Sequence, residues 1–198
     1  MTAFLLVRHA AHDNVGKYLA GRTPGIRLGQ AGRAQAARLA ERLKREPIEQ
    51  IWTSPRERTQ ETAEAIASAK NLPAPTLAEE LDEIDFGAWS GRTFDDLTKD
   101  PAFRRWNEIR SLARTPSGEG MLDVQSRVLR LMQRIGAKPR AGILVLVSHA
   151  DVIKAAVSYC LGLPIDSWSR FEISPASITS LILSETGAEL KSLNEVIW

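Results

Sequence analysis

Short aliphatic runs alternate along this chain with longer stretches in which apolar residues recur every three or four positions. Ala3 to Val7 is a brief, uninterrupted apolar run, as expected of a strand covered on both faces, and it stops at Arg8 and His9. From Gln30 to Lys44 the spacing becomes helical: Ala31, Ala34, Leu39, Ala40 and Leu43 recur at three and four, while Arg33, Arg38, Glu41 and Arg42 take the other faces. Pro47 closes that helix, and Ile48 to Thr53 reads as a short strand. Ser54-Pro55-Arg56-Glu57 then reads as a helix start, with Ser54 as N-cap, Pro55 in the first helical position and Glu57 completing a capping box; the helix is expected to run to about Lys70. Phe94 to Leu112 is helix-prone but interrupted at Asp100-Pro101. Val124, Val128, Leu131, Met132 and Ile135 mark an amphipathic helix ending near Gly136, followed by a turn over Lys138–Gly142. Ile143 to Val147 is the clearest central strand, and it ends at Ser148-His149. A helix follows from about Asp151 to Leu161, stopped by Gly162 and Pro164, and Ile178–Leu183 with Leu190–Leu193 read as a closing strand pair.

Strands that alternate with helices predict a three-layer α/β/α sandwich with a mostly parallel central sheet and helices on both faces, here as a single domain over residues 1–198. In such sheets ligands gather beyond the carboxyl ends of the strands. That edge would receive Arg8 and His9, Arg58 in the first turn of its helix, and Ser148-His149. Two guanidiniums and two imidazoles facing one pocket suit a dianionic phosphoryl group. Two stretches lack periodicity. Ala11 to Leu28 carries Gly16, Gly21, Pro24 and Gly25, and from it Lys17, Tyr18, Arg22 and Arg27 could reach a ligand. Leu81 to Gly91 gathers Asp82, Glu83 and Asp85 in one short segment.

Composition narrows the partners. The formal charge is +2 over 198 residues and the basic residues are scattered, which argues against a nucleic-acid surface. No apolar stretch reaches the length of a membrane span, and the N-terminus enters a strand without the pattern of a secretory leader, so a cytoplasmic location is expected. The one cysteine, Cys160, excludes an internal disulfide and any multi-cysteine metal site; its apolar helical surroundings predict a buried, inert thiol.

The ordered motifs resemble the histidine phosphatase superfamily, the phosphoglycerate-mutase-like group. Leu6-Val7-Arg8-His9-Ala10 resembles its Arg-His-Gly signature, and Leu28 to Leu43, with Gly32 and Gln35-Ala36, resembles the helix that follows. Ser54 to Ala63 resembles its Ser-Pro-x-x-Arg-x-x-Gln/Glu-Thr-Ala segment, and Leu81 to Gly91 the stretch that carries a general acid, with Glu83 at the acid's position. Gly118-Glu119 with Arg127, and Val147-Ser148-His149-Ala150, resemble the remaining two motifs. Position 10 is Ala where Gly is commoner, position 12 is His where Thr or Ser is usual, and Asn14 stands one residue nearer His9 than the usual Asn.

The resemblance implies a phosphoglycerate-mutase-like fold and a metal-independent phosphatase acting on a small-molecule phosphomonoester, with no cofactor. His9 would form a phosphohistidine; Arg8, Arg58 and His149 would hold the phosphoryl oxygens; Glu83 would serve as acid and then base, with Asp82 or Asp85 as the fallback. His12, Asn14 and Arg22 are the further substrate-binding candidates. A raised Glu83 pKa or an acidic optimum is expected, because the first step needs a protonated carboxyl. The alternatives are a phosphomutase, which the short Gly91–Gly118 segment disfavours, a metal-dependent hydrolase using His9, His12 and Asp13, and a phospho-ligand binder without turnover. A homodimer is allowed for, and neither nucleic acid nor membrane is expected as a partner.

Overall fold

The computed structural model describes residues 1–138 and 141–197, so residues 139 and 140 of the turn expected over Lys138–Gly142 lie outside the described residues. In chain order the main elements are β1 (Thr2–Arg8), α1 (Gln30–Leu43), β2 (Ile48–Thr53), α2 (Glu57–Ala69), β3 (Thr76–Leu77), α3 (Phe94–Leu97) and α4 (Pro101–Glu108). Then come α5 (Met121–Gly136), β4 (Ile143–Ser148), α6 (Ala150–Cys160), β5 (Ile178–Ser184) and β6 (Gly187–Glu195). They form one six-stranded sheet in the order β3-β2-β4-β1-β5-β6. The first four of these run parallel, whereas β5 and β6 form an antiparallel hairpin against β1.

Strict alternation along the two central strands divides the core between the faces of the sheet. Phe4 and Leu6 of β1, with Leu144 and Leu146 of β4, pack with α5 and α6 through Val124, Val128, Leu131, Met132, Val152 and Ala156. Leu5 and Val7, with Val145 and Val147, pack on the opposite face with α1 and α2 through Ala36, Leu39, Leu43, Ala63 and Ile66. This is the expected three-layer α/β/α arrangement. The predicted break within Phe94–Leu112 falls at Pro101, which opens α4 behind the Asp100 side chain: Ala102 N–H donates to Asp100 Oδ1 at 2.9 Å. Trp106 of α4 is fully buried and meets Trp89 edge to face at 6.3 Å, so this region is part of the core.

The start of α2 differs from expectation. Helical geometry begins at Glu57 behind Arg56, and no side-chain cap forms. Ser54 instead turns its hydroxyl into the space beneath the strand ends, where it meets a buried histidine, while the Glu57 carboxylate accepts from Gly25 N–H at 2.8 Å. The Glu57 carboxylate is thereby engaged elsewhere, while Ser54 Oγ, besides its tertiary partners, still accepts from Arg56 N–H at 3.3 Å. Register brings Arg8 beside Ser148, and Val147 beside both Val7 and Thr53. The ends of β1, β4 and β2 therefore lie along one edge of the sheet.

Candidate active site

The chain leaves the apolar strands at that edge as two polar pairs, Arg8-His9 at the end of β1 and Ser148-His149 at the end of β4, with Arg8 half-buried and the other three buried. His9 N–H donates to Ser148 O at 3.0 Å, which locks the two strand ends together. The His9 and His149 rings meet edge on at 5.2 Å, and His12 stacks on the other side of His9 at 5.8 Å. All three imidazoles are buried. Arg58, also buried, comes from the first turn of α2 and bridges the first two. Its Nε donates toward His9 Nε2 at 3.3 Å and its Nη2 toward His149 Nδ1 at 3.1 Å, with Gly21 O at 2.9 Å from the same Nη2.

These contacts fix the tautomers, because a guanidinium has only donors. His9 must present a bare Nε2 to Arg58, so its proton sits on Nδ1 and is donated to Ala10 O at 2.8 Å. His149 likewise has a bare Nδ1, and its Nε2–H donates to Ser54 Oγ at 2.9 Å. Burial and the cations Arg58 and Arg8 hold both His9 and His149 well below the ordinary imidazole pKa. His12 is pushed down to about 4, by burial first and then by the same two arginines; its Nδ1 accepts from Asn14 N–H at 3.3 Å, which leaves the proton on Nε2. The site thus holds a neutral, bare-nitrogen imidazole between two guanidiniums. Two of their buried N–H groups, Arg8 Nε and Arg58 Nη1, have no partner.

Glu83 completes the cluster. Its Oε2 lies 3.5 Å from His149 Nδ1 and its Oε1 accepts from Ile84 N–H at 2.9 Å. Burial and the neighbouring Asp151 charge raise its pKa to about 7, against the opposing pull of Arg58 and Arg8. Local sequence explains its placement. Leu81 and Ile84 are fully buried on either side, and Ser148 Oγ donates to Leu81 O at 2.7 Å, tying this turn to the end of β4. The Glu83 carbonyl is gripped by Arg22 Nε at 2.8 Å and Arg127 Nη2 at 3.2 Å. Both arginines pair with the Glu119 carboxylate, at 2.9 Å from Arg22 and 3.0 Å from Arg127.

The structure brings Arg8, His9, His12, Arg58, Glu83 and His149 together. It engages Arg22 and Asn14 elsewhere: Arg22 is occupied with Asp82, Glu119 and the Glu83 carbonyl, and the Asn14 amide donates to Tyr18 Oη at 3.0 Å. Arg27 pairs with Glu61 on the surface. Asp82 is buried and ion-paired to Arg56 at 2.9 Å and Arg22 at 3.3 Å, while Asp85 is half-buried and accepts from Gly87 N–H. Ser54 and Gly21 are the groups that sequence reasoning missed. The Ser-Pro-x-x-Arg motif was visible, but its serine fitted a helix cap equally well. Cys160 is half-buried, with its thiol pushed up to about 11 by burial, which keeps it protonated. Among the described residues no group of three or more His, Cys, Asp or Glu side chains is arranged to hold a metal ion. No helix among them is long and apolar enough to cross a membrane.

A parallel-sheet edge bearing two histidines, two arginines and a half-buried carboxyl is the arrangement the motifs of the histidine phosphatases imply. The chain belongs to the histidine phosphatase superfamily, branch 1, whose family model matches residues 4–196. It is similar to phosphoserine phosphatase 1 of Hydrogenobacter thermophilus, at 32% identity over 98% of this chain and 92% of that protein. It is also similar to the adenosylcobalamin/alpha-ribazole phosphatase of Salmonella typhimurium, at 30% identity over 98% of this chain and 96% of that one. Among solved structures, YhfR of Bacillus stearothermophilus superposes with a TM-score of 0.91 at 29% identity, covering 99% of this chain and 98% of that one.

Proposed function

We propose that the protein is a metal-independent phosphatase that hydrolyses a small-molecule phosphomonoester through a phosphohistidine on His9. The observation that carries this reading is the bare Nε2 of a neutral, buried His9 flanked by guanidiniums whose Arg8 Nε and Arg58 Nη1 have no partner. A phosphoryl group lying between them would accept those N–H groups while His9 Nε2 attacks phosphorus in line. The phosphorus–nitrogen bond forms as the bond to the leaving oxygen breaks, and Glu83, protonated up to about pH 7, supplies that oxygen's proton. The resulting carboxylate then takes a proton from the water that opens the phosphohistidine. His12 would donate its Nε2–H to a phosphoryl oxygen, in place of a hydroxyl. Arg8 and Arg58 beside His9 oppose binding of a divalent ion there, which favours charge stabilisation by the arginines. The site is complete within the described residues of one chain, so the reading needs no second subunit. We place the enzyme in the cytoplasm, on its single cysteine.

The test is free-phosphate release from a generic aryl phosphate in excess chelator, wild type against His9→Ala. Turnover in the wild type with loss of about a thousandfold or more in the variant is expected, since the covalent step has no substitute. Turnover abolished by chelator would replace this reading with a metal-dependent one. Isomerised product in place of free phosphate, on a phosphorylated hydroxy acid, would make the protein a mutase.

A further inference from the structure

We propose that Ser54 is a positioning residue: with Asp82 behind it, its hydroxyl holds the Nε2–H of His149 so that Nδ1 takes up the acidic proton of a bound phosphate monoanion. Nδ1 then donates that proton, as a hydrogen bond, to the phosphoryl oxygen it came from. The inference rests on the phosphoryl-binding reading of the site and assigns a role to two residues which that reading does not use.

In the unliganded site the His149 ring faces the wrong way electronically for this task. Its Nδ1 is a bare lone pair on the side of the histidine cluster, where a phosphoryl oxygen would bring further lone pairs. The ring must gain a proton to become a donor. Arg8 and His9 at the end of β1, Arg58 from α2 and Arg127 from α5 face it and oppose a positive charge, while Glu83 lies 3.5 Å away. The opposite nitrogen leads to the one chain of groups that favours such a charge. Ser54 Oγ accepts the Nε2–H at 2.9 Å and donates to Asp82 Oδ1 at 3.3 Å. Ser54, Asp82 and His149 are all at least 98% buried, so this carboxylate–hydroxyl–imidazole line is shielded from water.

Asp82 is fixed from other sides: Oδ1 accepts from Glu83 N–H at 2.8 Å and lies 2.9 Å from Arg56 Nε, and Oδ2 lies 3.3 Å from Arg22 Nε. Asp82 is ion-paired to Arg56 and Arg22, which fixes it behind the Ser54 hydroxyl. A hydroxyl accepts from Nε2–H and donates to a carboxylate at once through a single atom. The step balances within the bound complex. A phosphomonoester monoanion carries one O–H, with a pKa near 6, and the inorganic phosphate monoanion carries two; one such bond breaks, the proton joins the Nδ1 lone pair, and the products are a phosphate dianion and an imidazolium. Glu83 keeps its own proton for the leaving group. Arg58 Nη2, displaced from Nδ1, retains its bond to Gly21 O.

The chain has three histidines, so its imidazole nitrogens can be followed singly by long-range 15N–1H spectra, with inorganic phosphate as probe. In the free wild type His149 should show a protonated Nε2 and a bare Nδ1; with inorganic phosphate at about pH 6, where it is mainly the monoanion, both nitrogens should be protonated. In Ser54→Ala the phosphate-bound ring should keep a bare Nδ1. Phosphate should also bind that variant about 10- to 100-fold more weakly, the worth of a hydrogen bond to a charged group. Ser54→Thr, which keeps the hydroxyl, should restore both. A phosphate-bound wild type in which His149 retains a bare Nδ1 overturns the inference, and that measurement needs no variant to fold. So does Ser54→Ala that binds phosphate and protonates His149 as the wild type does. If phosphate perturbs none of the three rings, the phosphoryl-binding reading falls as well; if it perturbs His9 and leaves His149 unchanged, only the present inference falls.

Discussion

At the scale of single residues, environment gives chemically similar groups different roles. Glu83 and Asp82 are neighbours in sequence, yet Asp82 is ion-paired between Arg22 and Arg56 whereas Glu83, half-buried, is raised to about 7 by desolvation and the Asp151 charge. Between the ordinary 4.5 and about 7 the folded protein holds a Glu83 proton that the unfolded chain has released, so this residue makes stability fall as pH rises through that window. Glu83→Gln should therefore be more stable than the wild type above pH 7, by on the order of 2 kcal/mol, and gain nothing below the ordinary carboxyl pKa. Urea midpoints at the two ends of the range check this. The same variant should lose about 10²- to 10⁴-fold in kcat, and the fall in wild-type kcat/KM above about pH 7 should disappear from what remains. His12→Ala should weaken phosphate binding about tenfold, the value of one hydrogen bond to a charged group, as read by calorimetry. Residue types at the site were legible in the sequence: cations and imidazoles interrupting apolar runs at Arg8-His9 and Ser148-His149. Partners were not. Arg22 looked free to meet a ligand because the acidic groups that engage it, Asp82 and Glu119, lie far from it in sequence and reach it only through the fold.

Elements hold the site through close approaches of backbone. Helix α1 meets the segment after His9 through Gly32, where an added Cβ would fall 1.8 Å from Ala11 O, and through Gln35, whose Oε1 accepts from Ala11 N–H at 2.9 Å. Gly32→Ala should cost about 1–3 kcal/mol, as overpacking does, and should lower kcat as well, because the displaced segment carries His9 and His12; a thermal melt and a steady-state assay check it together. The turn that presents Glu83 is held by Glu119 between Arg22 and Arg127. Glu119→Ala would leave Arg127 buried with its charge uncompensated, and should lower stability by about 3–5 kcal/mol in urea unfolding. Elements whose pattern is local were readable in advance: β1 and β4 as continuous apolar runs, α1 and α5 by their stripes, and the restart of a helix at Pro101. The start of α2 was not, because Ser54-Pro55-Arg56-Glu57 satisfies the local rules for a cap. The tertiary partners His149 and Gly25 outbid those rules.

For the molecule as a whole, the sheet order carries the function. Placing β1 between β4 and β5, and β4 between β1 and β2, sets the carboxyl ends of three parallel strands side by side, so that Arg8-His9, Ser148-His149 and the entry to α2 converge. Alternation of apolar residues announced such a sheet, and the family's motifs its order of use. The antiparallel closing hairpin β5–β6 was legible as a strand pair but not in its attachment to β1, since nothing local states which edge a hairpin joins. A preorganised anion site of this kind should be stabilised by its ligand through mass action: inorganic phosphate at a hundred times its dissociation constant should add about 2.7 kcal/mol, raising the melting temperature, with chelator making no difference. The central claim is covalent attachment at His9, and rapid acid-free quenching of turnover on a phosphorus-labelled aryl phosphate, followed by peptide mapping, tests it most directly. The account predicts label on the peptide that contains His9, stable in base, labile in acid and absent from His9→Ala. Steady turnover with no label at His9, or undiminished turnover in His9→Ala, would contradict it.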